Sequence, residues 1–469
     1  MLDNIINAIS GVLYQPWCVP LILLVGGIFF TVRTKAIQFR LFGESFRVIS
    51  EKPKDSNSIS SFGALMVSTA SRVGTGNIIG VSVAICSGGP GAIFWMWIIA
   101  VLGGASAFVE STLAQVYKRK NESDGSSYGG PAYYIETALK QRWLGIIFSI
   151  LVILTYALGY NALASYNLQS TFAAFNFYNP KVTPIVVGAI LAVLFAICVL
   201  GGAKRLTDVT EILVPIMGVI YILVAFVVII IKIKYIPAMF SMIFKDAFNF
   251  KAIFGGFGGS CIMFGVKRGL YSNEAGMGSA PNAAATADVS HPVKQGLVQM
   301  LSVFIDTILI CTATAFMCLL SGVTPTAEIA GATFVQESLK NIFGGFGPIF
   351  IAVSMSLFAF TTLIGNYSYC EGCLRYIMKR QPSKTFTIIF RLAASVIVFA
   401  GAIVTMNLVW DTADLLQALM VVINVPVILI LSKTAINCLN DYCKQRKEGK
   451  NPEFKAADII LKEETDFWK

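Results

Sequence analysis

The chain carries little charge for its length. Only 13% of its 469 residues are charged, while 56% are hydrophobic, whereas soluble proteins contain about 25% charged residues. A chain of this composition cannot cover a water-facing surface. Its abundant aromatic and branched aliphatic residues also exclude a disordered protein. The composition therefore predicts a protein that lies in a lipid bilayer.

The sequence also lacks the residues that common catalytic sites require. It has a single histidine, His291, and few acidic residues inside its apolar stretches, which is too little for a Ser-His-Asp or metal-based enzyme. It has no Gly-x-x-x-x-Gly-Lys-Ser/Thr loop, so this chain does not use ATP. Cys370 and Cys373 form a lone Cys-x-x-Cys pair, which favours helix packing over a zinc or redox site. We therefore predict a protein that is not an enzyme and has no cofactor.

Eleven stretches are long and apolar enough to cross a membrane, because a spanning helix needs about 20 apolar residues. These predicted spans are 12–32, 59–86, 89–116, 145–172, 183–201, 209–232, 250–279, 296–320, 346–372, 385–407 and 413–434. If the first span is an addition, ten remain as two groups of five. An odd number of helices per group makes the groups inverted repeats. The predicted fold is therefore an all-α polytopic membrane protein with a 5+5 inverted repeat and one extra N-terminal helix.

These spans divide the chain into four parts. We predict an N-terminal part with the extra helix and a cytoplasmic loop (1–58), a first repeat (59–232), a second repeat with an extracellular loop helix (233–434) and a cytoplasmic tail (435–469). The tail is rich in lysine and is predicted to be solvated. Residues 233–250 and 333–342 place apolar side chains at three- and four-residue spacing, which is typical of interfacial loop helices, with gating lids as the alternative.

Basic residues divide unevenly between the two sides of these spans. With the N-terminus outside, 29 of the 36 lysines and arginines fall on the cytoplasmic side, Lys267 and Arg268 among them, six fall outside, and Arg72 lies within a span. Cytoplasmic loops of membrane proteins carry such an excess. We therefore predict a plasma-membrane protein, in bacteria of the inner membrane, with its C-terminus in the cytoplasm. The net charge of +10 then requires no nucleic-acid partner.

Two of the predicted spans are interrupted by glycine. One contains Val-Gly-Thr-Gly-Asn at 73–77, and the other has five glycines between 255 and 265. A glycine inside a helix costs about 1 kcal/mol relative to alanine, and lipid cannot replace lost backbone hydrogen bonds. Close packing of helices is one explanation. Paired breaks in two repeats favour another, a transporter site where helix ends bind a carboxylate and free carbonyls bind a cation.

Several segments resemble the alanine or glycine:cation symporters, the sodium:alanine symporter family. The matching segments are 73–77, 88–103, 129–134 and 265–276. The resemblance implies the leucine-transporter fold and symport of sodium, or of protons, with a small neutral amino acid such as alanine, glycine or glutamine. Sodium would be the coupling ion. The alternative from another class is an ion or solute channel with a carbonyl-lined path, but two dissimilar breaks within one chain favour a single occluded site.

The resemblance also assigns roles to individual residues. The first unwound segment, which binds the substrate carboxylate, corresponds to Gly74, Thr75, Gly76 and Asn77. The second, which provides carbonyls and an aromatic wall, corresponds to Ser260, Phe264 and Gly265. The sodium site corresponds to the carbonyls of Ala70 and Val73 with the hydroxyls of Thr361 and Thr362. Oxygen ligands suit a hard cation, although a threonine hydroxyl can instead bond to its own helix.

One position departs from the family pattern. Counted from Asn161, the chain has Ala164 where many members have a glutamine that lines the site. The smaller residue removes a polar contact to the substrate and enlarges the cavity. This departure favours a larger neutral substrate, such as glutamine, over alanine or glycine.

Two charged residues fall inside predicted spans. Each of Arg72 and Asp306 costs roughly 2.5 to 3.5 kcal/mol to insert. We predict that they form an ion pair inside the helix bundle, with Arg72 in the space where relatives of this fold hold a second sodium. The alternative is separate solvation of both side chains in a water-filled vestibule.

Overall fold

The computed structural model describes residues 2–53, 58–121, 125–249, 256, 260–459, 461, 463 and 465–468. Of the glycine cluster predicted to break the second span, Gly255, Gly258 and Gly259 lie outside the described residues. Ser260, Phe264 and Gly265 lie within them.

Most of the described residues are helical. The helices are α1 (Leu2–Leu13), α2 (Val19–Arg33), α3 (Ile37–Arg40), α4 (Phe42–Ile49), α5 (Ser61–Arg72), α6 (Val81–Gly88), α7 (Ala92–Val116), α8 (Pro131–Leu139), α9 (Arg142–Ile153), α10 (Asn161–Thr171), α11 (Thr183–Leu200), α12 (Gly202–Ile231), α13 (Ile236–Ala247), α14 (Cys261–Asn273), α15 (Ala280–Ala284), α16 (Pro292–Val303), α17 (Thr312–Leu319), α18 (Ala332–Phe343), α19 (Phe346–Met378), α20 (Lys384–Gly401) and α21 (Met406–Lys447).

Wider π-helical turns join some of these helices. They are Gly76–Gly80 before α6, Leu154–Tyr160 between α9 and α10, and Phe304–Cys311 between α16 and α17. Two short strands, β1 (Arg119–Lys120) and β2 (Ser127–Tyr128), pair antiparallel with Arg119 opposite Tyr128. Single π-turns are frequent at functional sites, and the turns at 76–80 and 304–311 lie next to each other.

Eight helical segments within the described residues are long and apolar enough to cross a membrane. They are Ala92–Val116, Arg142–Ala174, Thr183–Leu200, Lys204–Ile231, Pro292–Leu319, Phe346–Met378, Lys384–Gly401 and Met406–Lys447. Each matches one predicted span, so the all-α polytopic fold class is confirmed. The count of eleven spans and the 5+5 repeat stay predictions, because the other three predicted spans are divided into shorter helices.

The first predicted span, 12–32, begins later than predicted. The chain forms α1 up to Leu13 and starts α2 at Val19. Pro16 lies between them, and because proline disfavours helix in the residue before it, the two helices cannot merge there. Tyr14, just after α1, donates a hydrogen bond to the Asp414 carbonyl on α21 at 3.3 Å.

The predicted span 250–279 is divided as well. Its helix α14 ends at Asn273, and Glu274 takes a left-handed conformation with φ of 55°. Lys267 and Arg268 therefore lie inside α14 and pair with Asp414 of α21 at 3.4 and 2.7 Å. The sequence counted both residues with the cytoplasmic loops, whereas the structure places them within a helix and against a buried carboxylate.

The helices differ strongly in burial. Every residue of α5 except Phe62 is buried, and α7 packs extensively against α14 and α16. In contrast, α11, α12 and α20 expose large apolar side chains such as Val193 and Phe226. These exposed faces suit lipid, whereas polar side chains concentrate in the interior around α5, α7, α14 and α16.

The tail is not the solvated end that the sequence predicted. Trp468 is only 7% exposed and donates its indole N–H to the Gln115 carbonyl at 2.8 Å. Phe454 donates its amide N–H to the Ser290 carbonyl at 2.9 Å, and the Lys118 ammonium lies 4.6 Å from the Phe467 ring centre. Aromatic side chains thus hold the tail against α7 and the segment before α16. The composition of the tail, which is rich in lysine, did not indicate these contacts.

We expect Trp468→Ala to release the tail, because burial of the indole and its hydrogen bond together contribute about 3 kcal/mol. Hydrogen exchange at the Phe454 amide should then accelerate by about a hundredfold. Lys455→Ala is the control, since Lys455 is exposed and its loss should leave exchange unchanged. Equal exchange in wild type and Trp468→Ala would contradict a docked tail.

Candidate functional site

The first break lies where the sequence predicted it. Helix α5 ends at Arg72, Val73 leaves the helical conformation with ψ of 88°, and the helix resumes at Gly76. The Gly74 N–H donates to the Asn77 side-chain oxygen at 2.7 Å. Because this hydrogen bond replaces a lost helical one, the unwound turn can exist away from water.

Both positions of this break need glycine, because close neighbours leave no room for a side chain. A side chain at Gly74 would overlap the Thr362 hydroxyl, and one at Gly76 would lie 2.7 Å from the Tyr271 ring. The Thr75 hydroxyl lies 3.3 Å from the Tyr271 hydroxyl and accepts from the Asn167 side-chain amide at 3.1 Å. The break is therefore clamped between α10, α14 and α19.

Asp306 fixes the helical turn that follows the break by a hydrogen bond from Asn77. Its carboxylate accepts hydrogen bonds from the Asn77 amide at 2.6 Å, the Ser272 hydroxyl at 2.6 Å and the Thr307 hydroxyl at 2.7 Å. The side chain is fully buried. These three bonds satisfy the carboxylate and fix the first break to α14, as a buried charge requires.

The predicted ion pair between Arg72 and Asp306 does not form in the described part of the chain. Arg72 is 1% exposed and donates to the Gln299 carbonyl at 3.2 Å, while its Nε and Nη2 atoms have no hydrogen-bond partner among the described residues. The buried carboxylates of Glu110, Glu274 and Asp306 lie in the same part of the bundle, but none is within ion-pair distance of Arg72 among the described residues. The Asp306 carboxylate is instead hydrogen-bonded to Asn77 and to Ser272 of α14. The prediction of an ion pair was therefore wrong.

A second break follows α14 at residues 274–279. Gly276 and Gly278 have φ of 84° and 79°, a left-handed backbone that glycine tolerates best. Glu110 of α7 accepts the Gly278 N–H at 3.1 Å and the Gly276 N–H at 3.4 Å. Asn424 of α21 donates to Glu110 at 2.8 Å and to the Gly276 carbonyl at 2.9 Å. Side chains of neighbouring helices thus supply the hydrogen bonds that the unwound backbone needs and that lipid cannot supply.

The two breaks meet in the bundle. Glu274 accepts hydrogen bonds from the Ser71 hydroxyl at 3.0 Å and the Ser279 hydroxyl at 2.7 Å. Ser71 is the last residue but one of α5, next to the first break, and its hydroxyl also lies 2.7 Å from the Asn366 side-chain oxygen of α19. Four charged side chains and two unwound segments therefore share one buried region.

The three residues predicted for the second break lie at the start of α14 and within it. Ser260 caps α14 and accepts the Met263 N–H at 3.3 Å. Phe264 packs against Gly88, and Gly265 packs against Trp95. Phe264 and Gly265 lie in a continuous helix, so they are not part of an unwound segment. The Phe264 ring packs α14 against α6, and the absence of a side chain at Gly265 lets α14 approach α7 closely.

A shared sequence pattern could have located the second break. Gly74-Thr75-Gly76 follows Arg72, and Gly276-Met277-Gly278 follows Glu274 at the same spacing. The denser glycine cluster at 255–265 concealed this pair. Tyr271, Ser272 and Asn167, which contact the first break, carried no comparable signal, since tyrosine, serine and asparagine are common in polar helix faces.

The two predicted sodium-binding threonines differ in their surroundings. The Thr361 hydroxyl donates to its own helix, to the Leu357 and Phe358 carbonyls at 3.0 and 3.1 Å. The Thr362 hydroxyl is buried next to Gly74 and has no hydrogen-bond partner among the described residues. A side chain at Gly365 would overlap the backbone at Ala70 and Ser71. The backbone of 70–74 therefore lies directly against Thr362.

Helix α10 provides one wall of this region. Asn161 accepts from the Asn366 side-chain amide at 3.0 Å, and Asn167 reaches Thr75 two helical turns later. Ala164 lies between them and is fully buried. Positions three apart share a helix face, so Ala164 belongs to the face that contains both asparagines.

An ion pair and a layer of aromatic rings close the region on the α14 side. Arg268 contacts Asp414 at 2.7 Å and lies 4.2 Å from the Trp410 ring centre. The Tyr271 ring packs edge-on against Trp410 at 5.2 Å and against Tyr160 at 4.8 Å. This layer separates the two breaks from the end of the bundle that contains Asp414.

Unfolding of double variants in detergent tests these assignments. We expect the coupling energy between Asn77→Ala and Asp306→Asn to be about 2 kcal/mol, because a direct hydrogen bond to a charge is lost. Coupling between Arg72→Met and Asp306→Asn should be smaller, since those side chains make no contact. A larger coupling energy for Arg72 and Asp306 than for Asn77 and Asp306 would support the ion pair that the sequence predicted.

Comparison with known proteins is consistent with this arrangement. A model of the sodium:alanine symporter family matches residues 1–456. The amino-acid carrier protein AlsT of Bacillus subtilis is 48% identical over 450 residues, which cover 95% of this chain and 94% of that protein. The probable sodium/glutamine symporter GlnT of the same organism is 44% identical, covering 97% and 93%.

A more distant relative and a solved structure extend the comparison. The sodium/alanine symporter AgcS of Methanococcus maripaludis is 36% identical, covering 96% of this chain and 99% of that protein. The crystal structure of MhsT in complex with L-phenylalanine matches with a TM-score of 0.54 at 16% identity, covering 89% of this chain and 95% of MhsT. MhsT has the leucine-transporter fold, so at this identity the likeness concerns the fold.

Proposed function

The chain belongs to the sodium:alanine symporter family, and from that premise we propose that it takes up a small neutral amino acid together with sodium, at a site between the breaks at 73–76 and 274–279. The single observation that carries the location is that the two unwound segments meet in the buried interior. Unwound backbone at membrane depth offers amides to a carboxylate and carbonyls to a cation.

The substrate's two charged groups suit opposite sides of this region. The N-terminal turn that begins at Gly76 presents amides and the positive end of its helix, which favours the amino acid's carboxylate. The carbonyls of the second break and the buried carboxylate of Glu274 favour its ammonium group. The Tyr271 ring, packed on Gly76, provides an apolar surface for the side chain.

We place the sodium ion at Thr362 and the backbone of Ala70 and Val73. The support is the buried Thr362 hydroxyl, which lacks a partner among the described residues and faces Gly74. A buried hydroxyl without a partner is costly, and a cation ligated by its oxygen would remove that cost. Thr361 bonds to its own helix and is the weaker candidate.

We propose transport by alternating access, for which the ion gradients supply enough energy. A membrane potential of 100 mV supplies about 2.3 kcal/mol per charge, and a tenfold sodium gradient adds about 1.4 kcal/mol. One sodium ion can therefore concentrate a neutral amino acid by roughly several hundredfold. We propose that the layer of Arg268, Asp414 and Trp410 opens to admit both solutes and then closes behind them.

Uptake by the purified protein in proteoliposomes tests this function. We expect saturable accumulation of labelled alanine or glutamine that requires an inward sodium gradient and is inhibited by unlabelled neutral amino acids. Varying lithium and pH separates sodium coupling from proton coupling. Ion conductance without accumulation would instead favour the channel and contradict a symporter.

The sodium site predicts different effects at the two threonines. Thr362→Ala should raise the sodium concentration needed for half-maximal uptake by about tenfold, since loss of one ligand to a charge costs about 1.5 kcal/mol. Thr361→Ala is the matched control and should change it little, because its hydroxyl serves its own helix. Thr362→Ser should restore the affinity. Equal effects at both positions would contradict the assignment.

Substrate choice should respond to Ala164. We expect Ala164→Gln to favour alanine over glutamine by about tenfold or more in uptake competition, because the added amide fills the cavity and offers a polar contact. Ala164→Leu adds similar volume without the amide, so it should exclude glutamine without improving alanine. Unchanged competition in both variants would mean that Ala164 does not line the substrate cavity.

A further inference from the structure

The face that carries the C-terminal tail contains a large cationic pocket. Its volume is about 630 Å³, and β1, α8, α9 and the end of α19 form its walls. Six basic side chains line it: Arg119, Lys120, Arg142, Arg375, Lys379 and Arg380. None of them belongs to the region between the two breaks, so the pocket is separate from the proposed transport site.

The positive charge of this pocket is only partly neutralised. Arg142 pairs with Glu136 at 3.1 Å, and Arg119 pairs with Asp466 of the tail at 2.8 Å. The other four cations have no carboxylate within ion-pair distance among the described residues, which exclude 122–124 of the hairpin. Four clustered charges repel one another, and an anion bound between them would relieve that repulsion.

Tyrosine rings give the pocket a defined shape. Tyr133 packs edge-on against Tyr128 at 5.6 Å and against Tyr376 at 5.0 Å. The Arg375 guanidinium lies 4.2 Å from the Tyr128 ring centre. A stacked guanidinium is held in place and presents its N–H groups in one plane, the geometry that binds phosphate oxygens in pairs. Scattered surface lysines lack this arrangement.

The pocket opens next to a surface suited to lipid. Trp143 follows Arg142 at the start of α9 and is 61% exposed, and tryptophan is enriched where the membrane meets water. Ile147 and Ile150 continue the same helix with 42% and 44% of their surface exposed. A head group in the pocket would therefore have an apolar helix face beside it for its acyl chains.

We propose that this pocket binds the phosphate group of an anionic phospholipid. The phosphate lies at Arg375, Lys379 and Arg380, and the acyl chains follow α9. Basic pockets between helices on the cytoplasmic side recognise anionic head groups, and the excess of basic residues predicts that this face is cytoplasmic. Because the walls come from α8 and α9 on one side and α19 on the other, a bound lipid ties these helices together.

Lipid titration of the full-length protein in detergent tests the proposal, with the melting temperature as the readout. Phosphatidylglycerol should raise the melting temperature of wild type saturably, whereas phosphatidylcholine should not. In the double variant Arg375→Gln/Lys379→Gln, the half-saturating concentration should rise by about thirtyfold, as expected for two lost basic contacts. Its melting temperature without lipid should equal that of wild type, which shows that it folds.

A matched control removes two charges from the same face. Lys35→Gln/Lys447→Gln lies in a smaller basic pocket of about 400 Å³ that no aromatic residue lines, and it should leave the titration unchanged. Equal weakening in both double variants would overturn the proposal in favour of general surface charge. Glycerol 3-phosphate that stabilises as strongly as the lipid would also overturn it and assign the pocket to a soluble phosphate.

Discussion

Every part of the proposed site depends on one constraint, that backbone amides and carbonyls cannot remain unsatisfied inside a membrane. The chain breaks its helices after Arg72 and after Asn273, and each break survives because side chains from other helices supply the missing partners. Asn77 accepts the Gly74 N–H, and Glu110 accepts the amides of Gly276 and Gly278. A binding site for a zwitterion and a cation becomes possible only after this internal support is in place.

The same constraint explains the buried charges. Glu110 and Asp306 hold the two breaks, and Glu274 joins the second break to Ser71 at the first. Arg72 is buried in the same region and contacts none of these carboxylates. Because charges interact strongly in a medium of low dielectric constant, its positive charge offsets part of theirs. At a distance it does so without fixing the two breaks to each other as a direct ion pair would. The breaks are therefore supported separately while remaining neighbours.

Much of the fold could be predicted from the sequence, because apolar length and glycine content are local properties. Eight predicted spans and the break at 73–76 appear at their predicted places. The break at 274–279 was not predicted, since the dense glycines at 255–265 gave a stronger local signal than the Gly-x-Gly at 276–278. The pairing of Lys267 and Arg268 with Asp414 joins helices far apart in the chain, and no local pattern reveals it. The docked tail was missed because three aromatic side chains, few among many lysines, hold it.

The structure of the protein with a bound amino acid, determined in sodium-containing buffer, would locate the site directly. We expect the amino acid to lie between residues 74–77 and 271–279, with its carboxylate at the amides of the first break and a cation at the Thr362 hydroxyl. An amino acid bound beside Ser260, Phe264 and Gly265, with both breaks unchanged, would contradict this expectation.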